Sequence, residues 1–115
     1  MSRSDAEVLE DIAAAITSIR SHLQHGPISV EIVMDAVAMR LLEIGEAVKA
    51  LDAETTNTEP EIRWRAIAGM RDFLAHHYFA TNPEVVQAVI DQDLQPLADA
   101  VERMRARLRG PEDGA

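Results

Sequence analysis

Apolar residues recur at steps of three and four along four successive segments of the chain, which is the spacing of amphipathic α-helices that bury one face. In the first segment Ser4 stands three residues before Glu7, a capping-box spacing that predicts a helix start. Gly26-Pro27 predicts the end of this helix. Its buried face is expected to consist of Val8, Ile12, Ile16, Ile19 and Leu23.

The second and third segments are separated by a polar stretch. Ser29 is the expected cap of the second helix, and residues 52–58 carry no apolar period, which predicts a loop that ends in a Thr58 cap. Pro60 then lies near the first turn of the third helix, in which Gly69 offers a small residue for a close helix crossing. The apolar faces are expected to consist of Val30, Met34, Val37, Leu41, Ile44, Val48 and Leu51 in the second helix, and of Ile62, Ile67, Met70, Leu74 and Tyr78 in the third.

The last segment begins at Asn82, a helix cap followed by Pro83 in the first turn, and it contains Pro96, which is expected to kink the helix. We therefore predict an all-α fold, an antiparallel up-down four-helix bundle with a kinked last helix. A single domain is expected over residues 1–110, followed by a flexible tail at 111–115.

The amino-acid composition argues against several kinds of catalytic site and binding partner. The 115 residues include no cysteine, which excludes disulfides, thiolate catalysis and cysteine-ligated zinc, and we expect no metal cofactor. The net charge of −9 argues against a sequence-independent hold on long nucleic acid such as DNA. No apolar run approaches the roughly 20 residues of a membrane span, and the first residues do not resemble a signal sequence. A cytoplasmic protein that contacts no membrane is therefore expected.

Residues 63–79 concentrate the chemically informative side chains. This segment holds three arginines, two histidines and all four aromatic residues, with a single aspartate, which predicts a local anion site in an otherwise acidic chain. At about 100° per helical residue, Arg71 and Tyr78 share a face, whereas His76 lies roughly 140° from Arg71. Convergence of the three needs either an irregular helix end near His76 or a second copy of the helix facing the first, which a two-fold dimer would supply.

Each of these residues also has a structural interpretation, which spacing alone favours. His76 can be a surface histidine, and Tyr78 continues the apolar face of the third helix. Arg71 can pair with Asp72 or with an acidic residue of the second helix.

Structural roles also explain most of the charged and histidine clusters outside residues 63–79. Glu43 and Glu46 have the spacing of a paired-carboxylate or metal site, but a solvated acidic face explains them better in so acidic a chain. His22 and His25 suit the dipole at the end of the first helix. Either dipole complementation or a partner contact explains the alternating arginines near the end of the chain, which are Arg103, Arg105, Arg107 and Arg109.

The string Arg71-Asp72-Phe73-Leu74-Ala75-His76-His77-Tyr78-Phe79 contains an Arg-x4-His-x-Tyr motif. It resembles the HepT group of minimal HEPN-domain ribonucleases, the toxins of bacterial toxin–antitoxin pairs. The surrounding sequence is similar to that family as well, at residues 40–47, 64–70 and 91–97. The resemblance covers about residues 5 to 108.

The resemblance implies a HEPN-type bundle and a metal-independent endoribonuclease that acts as a homodimer, with the motif helices of two subunits lining one cleft. Arg71 would hold the scissile phosphate of an RNA substrate, and His76 would move protons to or from the 2′-hydroxyl or the leaving oxygen. Cleavage would leave a 2′,3′-cyclic phosphate. Asp72, His77 and Glu43 are candidate supporting residues, and an exchange of roles between His76 and His77 stays open.

The resemblance also implies a cognate MntA-like nucleotidyltransferase antitoxin, which transfers AMP groups from ATP to Tyr78. An adenylyl group would add bulk and negative charge beside Arg71 and His76, and it would block the entry of RNA. Two other hypotheses stay open. One is a non-catalytic HEPN module that binds and is modified by a nucleotidyltransferase, and the other is a purely structural four-helix dimer.

Overall fold

The computed structural model describes residues 4–77 and 82–110, and helices make up most of both stretches. The helices are α1 (Asp5–Leu23), α2 (Glu31–Lys49), the short α3 (Ala53–Thr56), α4 (Trp64–His77), α5 (Pro83–Val89) and α6 (Gln95–Arg109), and a π-helical turn (Ile90–Leu94) joins the last two. Neither stretch contains a strand. The prediction of an all-α bundle with a kinked last helix is confirmed. No helix within these stretches is long and apolar enough to span a membrane.

The core lies between α1, α2, α4 and α6, because α1 packs against both α2 and α6 while α2 also packs against α4. The Ser4 hydroxyl accepts a hydrogen bond from the Glu7 amide and starts α1 as the capping box predicts. Near that end of α1, the Asp5 carboxylate accepts hydrogen bonds from the Asp52 amide and the Thr55 hydroxyl. The largest fully buried side chains are Leu9, Ile12, Ile19, Ile44, Leu74 and Met104.

Two predicted helix starts are wrong. The residue that precedes α2 is Val30, which makes no side-chain cap, so Ser29 does not cap this helix. The helix that carries the motif begins at Trp64 and not near Pro60, and the Thr58 hydroxyl donates to the Thr55 carbonyl instead of capping it. Part of the segment predicted as a loop forms α3.

A buried carboxylate explains why α4 starts late. The side chain of Glu59 is only 8% exposed and pairs with Arg103 at 2.7 Å and with Arg107 at 2.6 Å, which lie one turn apart on α6. The hydrogen bond from Arg103 lowers the pKa of Glu59, assisted by Arg107, although burial of the carboxylate acts in the opposite direction. The Trp64 indole donates to the Glu59 carbonyl at 2.9 Å. The segment before α4 is thereby fixed to α6 in a non-helical path.

The kink of the last helix comes from the π-helical turn. Pro96 follows this turn in a helix that continues on both sides, so its missing N–H leaves a carbonyl of the π-helical turn without an intrahelical partner. Asp93 in the π-helical turn binds the Arg63 guanidinium, with a shortest distance of 2.7 Å. This pair ties the kink to the start of α4, and it raises the pKa of Arg63.

The close crossing of helices occurs at Gly45 and not at Gly69. A Cβ atom on Gly45 would lie 2.8 Å from the Cβ of Arg71, 2.9 Å from the Arg71 backbone nitrogen and 3.1 Å from the Ile67 carbonyl oxygen. A Cβ atom on Gly69 would meet nothing within 4 Å. The close crossing within the chain therefore does not use Gly69 as expected, and Gly45 allows the backbone of α4 to lie directly on α2.

Candidate functional site

The site is built where α4 crosses α2. Arg71 extends from this crossing with its side chain 41% exposed. Its Nε lies 3.1 Å from a carboxylate oxygen of Glu46 on α2, and its Nη1 donates to Asp72 Oδ1 at 3.1 Å. The structural interpretation of Arg71 offered both partners as alternatives, and the arginine uses both.

Lys49 completes the cluster. Its Nζ donates to Asp72 Oδ1 at 3.2 Å and to Asp72 Oδ2 at 3.3 Å. The hydrogen bond from Lys49 is the largest cause of the lowered pKa of Asp72, followed by the hydrogen bond from Arg71. We call Glu46, Lys49, Arg71 and Asp72 the charge quartet. Two cations and two carboxylates alternate in it, and their formal charges cancel.

His76 does not join the charge quartet. Helix α4 is regular from Trp64 through His77, so no bend before His76 turns its side chain toward Arg71, and the separation of roughly 140° about the helix axis persists. His76 is exposed. On the same side of α4, which we call the outer face, Arg65 and Gly69 are exposed, and Phe73 is 41% exposed. Of the fourteen residues of α4 only Ile67 and Leu74 are buried.

The other predicted site residues have separate surroundings. The ring of His77 lies 5.4 Å from the ring of Phe73, one turn earlier. Glu43 pairs with Arg40 at 3.0 Å, so the carboxylate of α2 that reaches Arg71 is Glu46. Tyr78 lies outside the described residues.

The three arginines of the informative segment separate in the structure. Arg63 pairs with Asp93, Arg65 lies on the outer face, and Arg71 alone belongs to the charge quartet. Of the three arginines on which the predicted anion site is based, one therefore lies in the charge quartet, which also contains Lys49. Lys49 could not be identified from the sequence, because it lies 23 residues from Asp72 and no local pattern connects the two.

A groove of about 570 Å³ runs between α1 and α2 and reaches Glu46. Its charged lining residues are Asp11, Glu43 and Glu46 against a single cation, Arg40. This excess of negative charge does not suit an RNA backbone. Within the described residues, no three His, Asp or Glu side chains are grouped so that they could hold a metal ion.

The sequence profile of a family described as "Ribonuclease HepT-like" matches residues 8–104. The chain belongs to the HepT-like ribonuclease family. This assignment agrees with the helical fold and with the resemblance noted at the motif. The assignment supports RNA cleavage by a HEPN domain as the general function of this HepT-like chain.

Relatives with curated names agree with the family. The HepT-like chain is 35% identical over 110 residues to the "Probable ribonuclease HepT" of Thermococcus cleftensis, across 91% of this chain and 99% of that protein. It is 31% identical over 80 residues to "Putative RNase MJ0127" of Methanocaldococcus jannaschii, across 70% of this chain and 66% of the relative. No solved structure matches the chain.

Proposed function

We propose that the chain is a metal-independent endoribonuclease, the toxin of a bacterial toxin–antitoxin pair, which acts as a homodimer and cleaves RNA through Arg71 and His76. One observation carries this proposal. The motif helix holds Arg71 at the crossing with α2 and leaves His76 on an outer face that no other part of the described chain covers.

The chemistry needs an anion-binding group and a proton-transfer group. In the proposed step the 2′-oxygen of RNA attacks the adjacent phosphorus, the bond from phosphorus to the 5′-oxygen breaks, and a 2′,3′-cyclic phosphate and a 5′-hydroxyl result. Arg71 holds the non-bridging oxygens and stabilises the negative charge of the transition state. His76 takes the proton from the 2′-hydroxyl or gives one to the leaving oxygen.

A second copy of the chain solves the geometric problem of the motif. Because α4 stays regular through His77, Arg71 and His76 leave one helix roughly 140° apart, and a second copy that faces this helix would bring the two groups together across a cleft. The outer face is exposed, and Gly69 at its centre leaves space for a close helix contact. In a two-fold dimer through this face, His76 of each subunit faces the other motif helix, and the cleft between the helices receives RNA.

Regulation is proposed to act on Tyr78. A cognate MntA-like nucleotidyltransferase would join the tyrosine oxygen to the α-phosphorus of ATP, with release of pyrophosphate and the phenolic proton. The added phosphate group would compete with RNA for Arg71 and obstruct the cleft.

A second candidate function is a non-catalytic HEPN module that binds a nucleotidyltransferase and is modified by it. The observation in its favour is that Arg71 already pairs with two carboxylates in a chain whose net charge is −9. Weak binding of RNA is expected of such a module.

The deciding experiment compares protein produced alone with protein produced together with an MntA-like nucleotidyltransferase. Intact and tandem mass spectrometry locate AMP groups, and gel assays with mixed RNA measure cleavage by each sample. Arg71→Ala and His76→Ala are expected to abolish cleavage by the unmodified protein. His77→Ala tests the exchange of roles, and His25→Ala removes an exposed histidine from the turn that follows α1 as a matched control.

The outcomes separate the two functions. Cleavage only by the unmodified protein, with loss in Arg71→Ala and His76→Ala but not in His25→Ala, supports the regulated toxin. Modification of Tyr78 without cleavage by either sample favours the non-catalytic module. If neither modification of Tyr78 nor cleavage of RNA is detected, the regulated toxin and the non-catalytic module are both contradicted.

A further inference from the structure

Two cations from different helices converge on one oxygen of the charge quartet. Asp72 Oδ1 lies 3.2 Å from Lys49 Nζ and 3.1 Å from Arg71 Nη1. The second oxygen, Oδ2, lies 3.3 Å from the same Lys49 Nζ. Lys49 is the only lysine of the chain, and it is the last residue of α2, next to the crossing that positions Arg71.

The Asp72 carboxylate has the features of an internal substitute for a phosphodiester. Both groups carry one negative charge over two oxygens, and both accept hydrogen bonds from a guanidinium and an ammonium group. The side chains of Lys49 and Asp72 are 39% and 54% exposed. Ion pairs this exposed add little net free energy, so a phosphate that makes the same contacts can replace the carboxylate.

We propose that Lys49 and Arg71 together form a phosphate-binding pair for RNA, which the Asp72 carboxylate occupies until an RNA phosphate displaces it. The inference rests on the proposed function in taking RNA as the ligand. It assigns Lys49 a binding role and gives Asp72 the role of an internal competitor. It also explains how an acidic chain binds RNA locally, since displacement of the Asp72 carboxylate frees the hydrogen-bond donors of Lys49 and Arg71 for a phosphate.

The roles proposed for Lys49 and Asp72 predict that replacing these two residues changes RNA affinity in opposite directions. Lys49→Gln removes a phosphate contact and is expected to weaken RNA binding about five- to tenfold. The slope of the logarithm of affinity against the logarithm of salt concentration is expected to fall in magnitude by about 0.7. Lys49→Arg keeps the charge and is expected to restore most of the affinity. Asp72→Asn weakens the internal competitor and is expected to tighten binding by about two- to fivefold.

Matched controls account for the change in net charge. Arg20→Gln removes one positive charge from α1, where the arginine contacts Gln95. Asp35→Asn removes one negative charge from an exposed position of α2. Neither residue belongs to the charge quartet. Both controls are expected to change RNA affinity much less than the corresponding variants of Lys49 and Asp72.

The assay is fluorescence anisotropy of a short labelled RNA with 2′-O-methyl groups, which removes the attacking hydroxyl and allows binding without cleavage. Affinities are measured between about 50 and 200 mM salt, where counterion release dominates. Cleavage of unmodified RNA is measured separately, and a higher KM with little change in kcat is expected for Lys49→Gln.

Three results would overturn the inference. Lys49→Gln could behave like Arg20→Gln, or the wild-type protein could fail to bind the RNA. Weaker binding by both Lys49→Gln and Asp72→Asn would indicate that the pair only holds α4 in place. A different result separates the two proposals. If Lys49→Gln weakens RNA binding and Asp72→Asn tightens it, but neither the wild-type protein nor any variant cleaves unmodified RNA, the phosphate-binding pair is supported and the proposed endoribonuclease is contradicted.

Discussion

The contact at Gly45 makes a quantitative prediction about the position of α4. In Gly45→Ala the new methyl carbon would lie 2.8 Å from Arg71 Cβ and 2.9 Å from the Arg71 backbone nitrogen. Carbon atoms in contact prefer about 3.5–4.0 Å, so α4 must move by about 1 Å. Overpacking of this kind costs about 1–3 kcal/mol, whereas replacing glycine by alanine inside a helix gains about 1 kcal/mol.

Gly69→Ala is the matched control, because it changes the same residue type in the middle of a helix. Within one chain its Cβ meets nothing within 4 Å, so at protein concentrations at which the chain is monomeric only the gain of about 1 kcal/mol in helix propensity is expected. The propensity term cancels between the two variants. Their difference in unfolding free energy, about 1–3 kcal/mol in favour of Gly69→Ala, therefore measures the strain at the crossing.

Urea unfolding followed by circular dichroism gives the two free energies, and thermal unfolding checks them at about 4 °C per kcal/mol. Measurements at two protein concentrations separate any contribution of a dimer through the outer face, since such a contribution depends on concentration. Equal stabilisation of both variants would refute the close crossing. Because Arg71 contacts the new methyl group, Gly45→Ala is also expected to lower RNA cleavage.

Three further predictions concern the elements that position the site. Ser4→Ala is expected to cost about 1 kcal/mol of unfolding free energy and Ser29→Ala almost nothing, because only Ser4 caps a helix; urea unfolding of both checks this. The lowered pKa of Glu59 means that its stabilising contribution is complete above the ordinary glutamate pKa of about 4.3 and is lost as the pH falls through the lower folded-state value. Glu59→Gln is therefore expected to cost about 1–2 kcal/mol at pH 7 and to flatten the acid limb of the stability curve, and an unchanged acid limb would contradict the pairing. Pro96→Ala gives residue 96 an N–H that can bond to a carbonyl of the π-helical turn at Ile90–Leu94, so it is expected to raise the unfolding free energy by up to about 3 kcal/mol; urea unfolding tests this, and a loss of stability would contradict it.

Local sequence patterns predicted the elements whose determinants are local. The capping box at Ser4 and the Asn82 cap followed by Pro83 start helices in the structure, because each depends only on a hydrogen bond to a residue two or three positions away. The apolar periods likewise identify α1 and α2, whose buried positions repeat every three or four residues. The order of the long helices could therefore be predicted from the sequence.

The features that the sequence did not reveal depend on contacts between distant residues. Gly45 and Gly69 have similar local surroundings, and only the position of α4 distinguishes them. Glu59 becomes buried because arginines 44 and 48 residues later reach it from α6. The pairing of Lys49 with Asp72 spans 23 residues. Arg71 was predicted from its motif, but its α2 partner was left unspecified among several acidic residues.

The π-helical turn at Ile90–Leu94 makes the fold more sensitive to the number of residues between α5 and α6 than to which residues they are. A π-helical turn contains one residue more than the α-helical turn that it replaces. Deleting any one of these five residues would restore a continuous α-helix and rotate α6 by about 100° relative to α5. Val101 and Met104 would leave the core, and the arginines that hold Glu59 would turn away from it. Substitutions there change one side chain, whereas a single deletion changes which face of α6 is inside the protein.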